Sequence, residues 1–234
     1  VGNFNGGLRQ VYEHGTEEQK RRMLPPIAGG ELGAVAITEV TAGTDASGMS
    51  LVAKREGDYY VLNGRKRFIV AAGVADRYFI YAQTSFDPVD IKKHRHLSAF
   101  IIHKGDEGFH SEKINEILGF ENVQNGSLYL KDVKVPVADR LGEEGEGWAI
   151  LMGGLNFERT NISATTIGWH RAMLNYVIPY SERRIQFGRP TLDQKPNQDK
   201  IAHILERLLL IRDSVYVTAK KWDLEENIII ETEE

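Results

Sequence analysis

The hydrophobic period changes partway along the chain, and that change restricts the fold more than any single motif. From Glu31 to about Pro136 the apolar residues come in short runs rich in β-branched and aromatic side chains: Tyr59–Leu62, Arg67–Val70, Tyr78–Ala82, Leu97–Ile102 and Ser127–Leu130. Turns such as Glu56–Gly57–Asp58 and Asn63–Gly64 separate them, and Asn-Gly between two strand-like runs is a strong hairpin signal. Beyond Gly147 the spacing becomes helical. Leu151, Leu155, Ile162 and Thr166 fall on one stripe, with Gly168 giving room for close packing and Pro179 interrupting or bending the helix. Ile201, Ile204, Leu208, Ile211, Val215, Ala219 and Trp222 then recur by threes and fours, the seam expected of an antiparallel bundle. Thr16–Glu17–Glu18–Gln19 has capping-box spacing, so a helix is expected from Thr16 until Pro25–Pro26 stops it.

This order predicts an α+β fold. A central antiparallel β-barrel-like domain (31–144) would be flanked by the end of an amino-terminal helical domain (1–30) and the first helices of an incomplete carboxy-terminal bundle (145–234). At 234 residues the chain is long enough for a substantial core.

Charge excludes some functions. The 29 basic and 33 acidic residues are interspersed, so no basic block marks a nucleic-acid footprint. No apolar run approaches the roughly 20 residues that span a bilayer, and VGNFNGGLRQ lacks a signal-peptide pattern, so a soluble protein is expected. The absence of cysteine removes disulfides, thiolate metal sites and cysteine nucleophiles, and fits a reducing compartment. His94 and His96 read as a solvated turn rather than a metal site, and no metal is expected. The start without methionine and the uncapped end, NIIIETEE, both suggest cut edges of something longer.

The stretch TEVTAGTDASG (Thr38–Gly48) leaves the apolar run Ala34–Ile37 with hydroxyls, glycines and two carboxylates. Gly43 has backbone freedom, and Thr38, Thr41 and Thr44 place hydroxyls beside bare amides, as a loop wrapping a phosphorylated ligand would. The alternative is a turn whose hydroxyls bond their own backbone. Glu39 and Asp45 read as loop anchors. On the Leu151, Leu155, Ile162 stripe Glu158 falls among apolar neighbours, where burial would raise its pKa; the alternative is a solvated or salt-bridged glutamate.

TEVTAGTD, NGRKRFIVAAGVAD, LYLKDVKVP, LGEEGEGWAILMGGLNFER and YSERRIQFGRP occur in that order, and the series resembles the acyl-CoA dehydrogenase family of flavoproteins. The resemblance covers nearly the whole chain. It implies FAD held between a β domain and a four-helix bundle, in a homodimer or homotetramer, oxidising an acyl-CoA thioester to its enoyl product. Electron-transferring flavoprotein is the implied electron acceptor, and the cytoplasm or mitochondrial matrix the implied location.

By motif position, Ile37 and Thr38 would line the flavin ring, while Gly43 and Thr44 would pass close to pyrophosphate and acyl-CoA. Phe68, Ile69 and Val70 form the second set of flavin contacts. Phe68 replaces a family aromatic, usually tryptophan, that shields one flavin face; as a bare residue it reads equally as core. Val70 stands where the family commonly has a hydroxyl. Asn156–Phe157–Glu158–Arg159 matches the subset, isovaleryl-CoA and long-chain enzymes among them, that carries the catalytic glutamate before an arginine. Glu158 would be the base, with Asn156 and Arg159 contacting substrate. Arg184, Gln186, Phe187, Gln194 and Lys195 would reach a neighbouring subunit's flavin adenosine and pyrophosphate, Lys195 replacing the usual glutamine. Rivals are an acyl-CoA oxidase or related flavin monooxygenase, and a non-catalytic binding or assembly module.

Overall fold

The computed structural model describes residues 6–224. The readings made on the first residues and on NIIIETEE lie outside them. The chain divides into two compact units, the first reaching to Gly154 and the second starting at Leu155.

The first unit opens with two helices, α1 (Leu8–His14) and α2 (Glu17–Ala28). Thr16 caps α2 as its spacing predicts: its hydroxyl accepts from the Gln19 amide, and the Gln19 side chain accepts from the Thr16 amide. The helix does not stop before Pro25–Pro26 but runs through both to Ala28. Proline's fixed φ is compatible with a helix, but each ring removes the donor to the carbonyl four residues back, a cost that the packing of this segment must offset. Met23 and Ile27, both buried, fasten this turn to the core, and Gly29 closes it by donating to the Pro25 carbonyl at 2.9 Å.

Eight strands follow: β1 (Gly33–Ala36), β2 (Val52–Glu56), β3 (Tyr59–Val70), β4 (Arg77–Gln83), β5 (Leu97–His103), β6 (Phe109–Lys113), β7 (Asn125–Pro136) and β8 (Arg140–Leu141), with the short helix α3 (Pro88–Lys92) between β4 and β5. They make one sheet in the order β6-β7-β3-β2-β4-β5-β8, and β1 pairs with β4. The expected barrel-like closure is not found. β6 and β8 end the hydrogen-bonded path without pairing with each other, so the sheet is open. Nor is it wholly antiparallel, since β1 and β2 each run parallel to β4.

β4 and β5 are buried along nearly their whole length, as central strands covered on both faces must be. The core gathers Leu51, Tyr60, Leu62, Ile69, Tyr78, Ile80, Phe100, Leu128 and Val133. Tyr60 meets Phe100 edge-on at 4.9 Å between centroids, a favoured aromatic geometry.

Asn63–Gly64 is not a hairpin turn. Both residues lie inside β3, at a register shift against β7 between Leu62 and Gly64. Asn63 exchanges hydrogen bonds with Asp132, accepting from its amide at 2.9 Å and donating to its carboxylate at 3.1 Å. The shift is a β-bulge whose extra residue lies on β7, where Lys131 and Asp132 face the single residue Asn63.

The second unit consists of most of the long helix α4 (Gly147–Arg183), a two-stranded hairpin of β9 (Ile185–Gln186) and β10 (Arg189–Pro190), and α5 (Lys195–Asp223). α4 continues through Pro179. The α5 seam is legible in burial: Ile201, Ile204, Leu208, Ile211, Val215, Ala219 and Trp222 are all shielded relative to the exposed residues between them. Trp222 near the end of α5 packs edge-on against Phe157 and donates to the Thr160 hydroxyl at 3.3 Å, so the two helices run antiparallel. Gly168 is exposed with open space around it, so no close approach within this chain uses it.

Candidate functional site

In the first unit, the loop after β1 comes to rest against β3. The Arg67 amide donates to the Thr38 carbonyl at 2.9 Å, which fixes Thr38 against the residue that precedes Phe68. Ile69 turns into the core; Ile37, Thr38 and Val70 are half-buried; Gly43 and Thr44 are exposed. Among the described residues the hydroxyls of Thr38, Thr41 and Thr44 have no hydrogen-bond partner in the protein, so the self-satisfied turn is not what forms.

Glu39 anchors this loop. Its carboxylate accepts from the Ser50 amide (2.7 Å), the Ser50 hydroxyl (2.6 Å) and the Leu51 amide (3.1 Å), and pairs with Lys66 at 2.8 Å. Burial pushes its pKa up, but the Lys66 charge and these donors outweigh it, and the net shift is downward. Asp45 is an outer anchor, accepting from the Ser47 hydroxyl at 2.6 Å. His96 fixes the loop's far end: its Nε2 lies 2.9 Å from the Ser47 carbonyl, which can only accept, so that nitrogen donates.

Phe68 is held at φ 58, in the left-handed region an aromatic residue rarely enters, where β3 shifts register against β7 between Lys66 and Ile69. The bulge turns its ring outward, leaving it 51% exposed, with the Arg67 guanidinium 4.1 Å from the ring centroid. Asn125, itself buried, donates to the Phe68 carbonyl at 3.1 Å and holds the strained conformation. Backbone strain of this kind costs on the order of 1–3 kcal/mol and persists where surrounding contacts over-determine it. An outward aromatic ring near hydroxyls without protein partners offers a flat apolar surface with polar groups close by.

Sequence reading missed Lys66 and Asn125. Lys66 had a signal: it alternates with Arg65 and Arg67, and in a strand that puts it on the inward face. Asn125 had none, because its role depends on the bulge.

The second unit carries the remaining residues. Glu158 sits half-buried on α4, and desolvation raises its pKa. Arg159 donates to the Asn156 side chain at 2.8 Å, fixing both on one turn. α4 ends at Arg183, and the Arg184 amide still donates to the Tyr180 carbonyl at 2.9 Å. The β9–β10 hairpin turns on Phe187 (φ 53) and Gly188 (φ 73), placing Phe187 at a tip where it is 95% exposed. Arg184 and Gln186 are exposed as well. Gln194 caps α5 by position without a side-chain hydrogen bond, and Lys195 pairs with Asp199 one turn on, a surface pair that costs little to break.

Among the described residues no group of histidine, cysteine, aspartate and glutamate has a metal-holding arrangement, and no helix is long and apolar enough to cross a membrane.

Residues 34–133 match the acyl-CoA dehydrogenase middle domain, and residues 145–233 match the C-terminal domain of the same family. The chain is 36% identical over 217 residues to the mitochondrial isovaleryl-CoA dehydrogenase of Pongo abelii, covering 92% of this chain and 51% of that one. It is 37% identical to subunit CarC of the caffeyl-CoA reductase-Etf complex of Acetobacterium woodii, covering 91% of this chain and 55% of the subunit. Among solved structures, butyryl-CoA dehydrogenase from Megasphaera elsdenii superposes with a TM-score of 0.89 at 35% identity, over 96% of this chain and 58% of that one. The chain thus spans about half the length of the curated relatives it matches.

Proposed function

From its membership of the acyl-CoA dehydrogenase family, to which this chain belongs through its middle and C-terminal domains, we propose that it binds FAD and oxidises an acyl-CoA thioester to the trans-2-enoyl-CoA. The observation that carries the reading is Phe68, held out of the sheet at φ 58 beside a loop whose Thr38, Thr41 and Thr44 hydroxyls are free.

Bound there, FAD supplies the acceptor for the β-hydrogen, which leaves as hydride. Phe68 gives an apolar wall to one face of the ring, and Ile37 and Val70 line it. The Thr38 hydroxyl and amide would hold the ring by its polar edge, as fixed donors that would stabilise negative charge there. Gly43 offers close backbone approach to pyrophosphate, and Thr44 serves both the pyrophosphate and the CoA. Val70 has no hydroxyl to offer, and a backbone amide would have to serve if that donor is used at all.

Glu158 removes the α-proton of the thioester. A base working on a weakly acidic carbon needs a raised pKa, and desolvation provides it. Arg159, braced by Asn156, supplies positive charge to the substrate's phosphate portion. Arg184, Gln186, Phe187, Gln194 and Lys195 serve the adenosine and pyrophosphate of a second subunit's flavin in a homodimer or homotetramer. Electron-transferring flavoprotein is the acceptor, a reading supported by the relative named for its complex with Etf.

The test is the visible spectrum of the FAD-loaded protein, recorded without oxygen before and after a panel of acyl-CoA thioesters. Bleaching by at least one member is expected. Failure to take up FAD, or a spectrum no thioester changes, overturns the proposal. Rapid oxygen consumption with substrate and no other acceptor would instead identify an oxidase.

A further inference from the structure

The Lys66 ammonium is fully buried, with three neighbours: the Glu39 carboxylate at 2.8 Å, the Ile37 carbonyl at 3.0 Å and the Met49 sulfur at 3.1 Å. Burying an ion pair costs several kcal/mol per ion, and apolar replacement of such pairs is often neutral or stabilising. Core stability alone therefore does not account for a lysine here. Its hydrogen bond to Ile37 does something a methionine or leucine could not. In a trans peptide the carbonyl and the following N–H point in opposite directions. Drawing the Ile37 oxygen inward to Lys66 turns the Thr38 N–H the opposite way, out of the core. The Arg67 amide, next along β3, takes the Thr38 oxygen at 2.9 Å, so two successive carbonyls of the loop are held by two successive residues of the strand.

We propose that Lys66 is a positioning residue: its bonds to the Ile37 carbonyl and the Glu39 carboxylate aim the Thr38 amide at the flavin edge and lock the loop to the strand that carries Phe68. The inference rests on the flavoprotein reading above and concerns how the site is shaped. The groups facing the ammonium are the Glu39 carboxylate, the Ile37 carbonyl and the Met49 sulfur; Ser50 and Leu51 hold the far side of the same carboxylate. Burial pushes the Lys66 pKa down to about 8, with Glu39 holding it from falling further. The clamp is thus mostly charged at neutral pH and weakens as pH rises through that value.

The experiment measures FAD dissociation constants and the bound-flavin visible spectrum for the full chain and three variants. Lys66→Met leaves Glu39 buried and unpaired and can unfold the domain, so Glu39→Gln/Lys66→Met, which buries no charge, accompanies it. Lys66→Arg keeps a permanent charge. The folded double variant is expected to bind FAD at least about tenfold more weakly, the size expected for losing a hydrogen bond to a charged group, and to show a shifted flavin band. Wild-type affinity should fall between about pH 7 and 9 as the ammonium titrates, while Lys66→Arg stays level. A folded double variant with wild-type affinity and spectrum overturns the assignment. If that variant does not fold, a wild-type pH profile that matches that of Lys66→Arg from pH 7 to beyond the ordinary lysine value of 10.5 overturns it instead. Wild-type chain that takes up no FAD overturns the flavoprotein reading itself, a result distinct from either.

Discussion

Glu158 has no hydrogen-bond partner among the described residues, and desolvation alone raises its pKa. A base is active when deprotonated, so turnover should rise with pH through a value above the ordinary 4.5 of a glutamate. Glu158→Gln keeps the shape and removes the basicity, and stopped-flow reduction of the bound flavin should slow about 10²–10⁴-fold with FAD affinity unchanged. Reduction at the wild-type rate would remove Glu158 from the chemistry. Asn125→Ala tests a different kind of residue. It releases the Phe68 carbonyl and leaves buried polar groups unpaired, so denaturant unfolding should show a loss of about 1–3 kcal/mol. With its brace gone, Phe68 can leave φ 58, and FAD affinity should drop as well. Glu39 titrates with the opposite sign to Glu158. Its folded-state pKa is lowered, so it adds stability above the unfolded value, lost as pH falls through the folded one. Replacing it by glutamine should flatten that acid limb of the stability profile. Glu39 and Glu158 were legible because each reading needed only local pattern, an anchor in a polar loop and a carboxyl on an apolar stripe. Lys66 and Asn125 matter through partners 27 and 57 residues away, a relation that composition and period do not carry.

At the scale of elements, existence and type were legible and connectivity was not. The capping box at Thr16, the strand runs and the α5 seam all depend on side-chain spacing within one segment and form as that spacing predicts, except that Tyr59–Leu62 and Arg67–Val70 join into the single strand β3. Barrel closure depends on whether β6 and β8 meet, a pairing between ends of the sheet that no local window contains. The Asn63–Gly64 reading failed for a related reason. The same backbone freedom that makes a tight turn also makes a bulge, and the β7 partner across the sheet decides which one forms. That bulge is testable. Gly64 sits at φ 147, and a methyl group there would lie 2.9 Å from Leu51 Cγ in the packed core. Gly64→Ala should therefore cost about 1–3 kcal/mol from overpacking and backbone strain together, read as a lower melting temperature. A melting temperature equal to wild type would mean that β3 relaxes around the bulge at no cost, and that its register is set elsewhere.

For the whole molecule, the second unit raises the question of association. α4 and α5 share one seam, yet each also leaves large apolar side chains in water: Ile162 (51% exposed), which its spacing put on the stripe with Leu151 and Leu155, and Tyr176 (72%) on α4, Leu210 (64%) and Tyr216 (70%) on α5. Scattered exposed residues of this kind are ordinary, but several on two long neighbouring helices exceed what a monomer usually leaves in water. Each is worth about 1.5–3 kcal/mol when fully buried, so covering even a few offsets much of the rotational and translational cost of association. A net charge of −4 on 234 residues gives little repulsion against it. The chain should therefore self-associate, with a sedimentation coefficient that climbs with protein concentration. Because the attraction is apolar, moderate salt should leave it intact, whereas a charge-driven complex would dissociate. Leu210→Lys/Tyr216→Lys places two like charges on the exposed face of α5 and touches none of the seam residues, so it should shift the distribution toward monomer while the helical circular dichroism signal is retained. A wild-type chain that stays monomeric at tens of micromolar, or a double variant that associates as strongly as wild type, would mean that these side chains are not the contact.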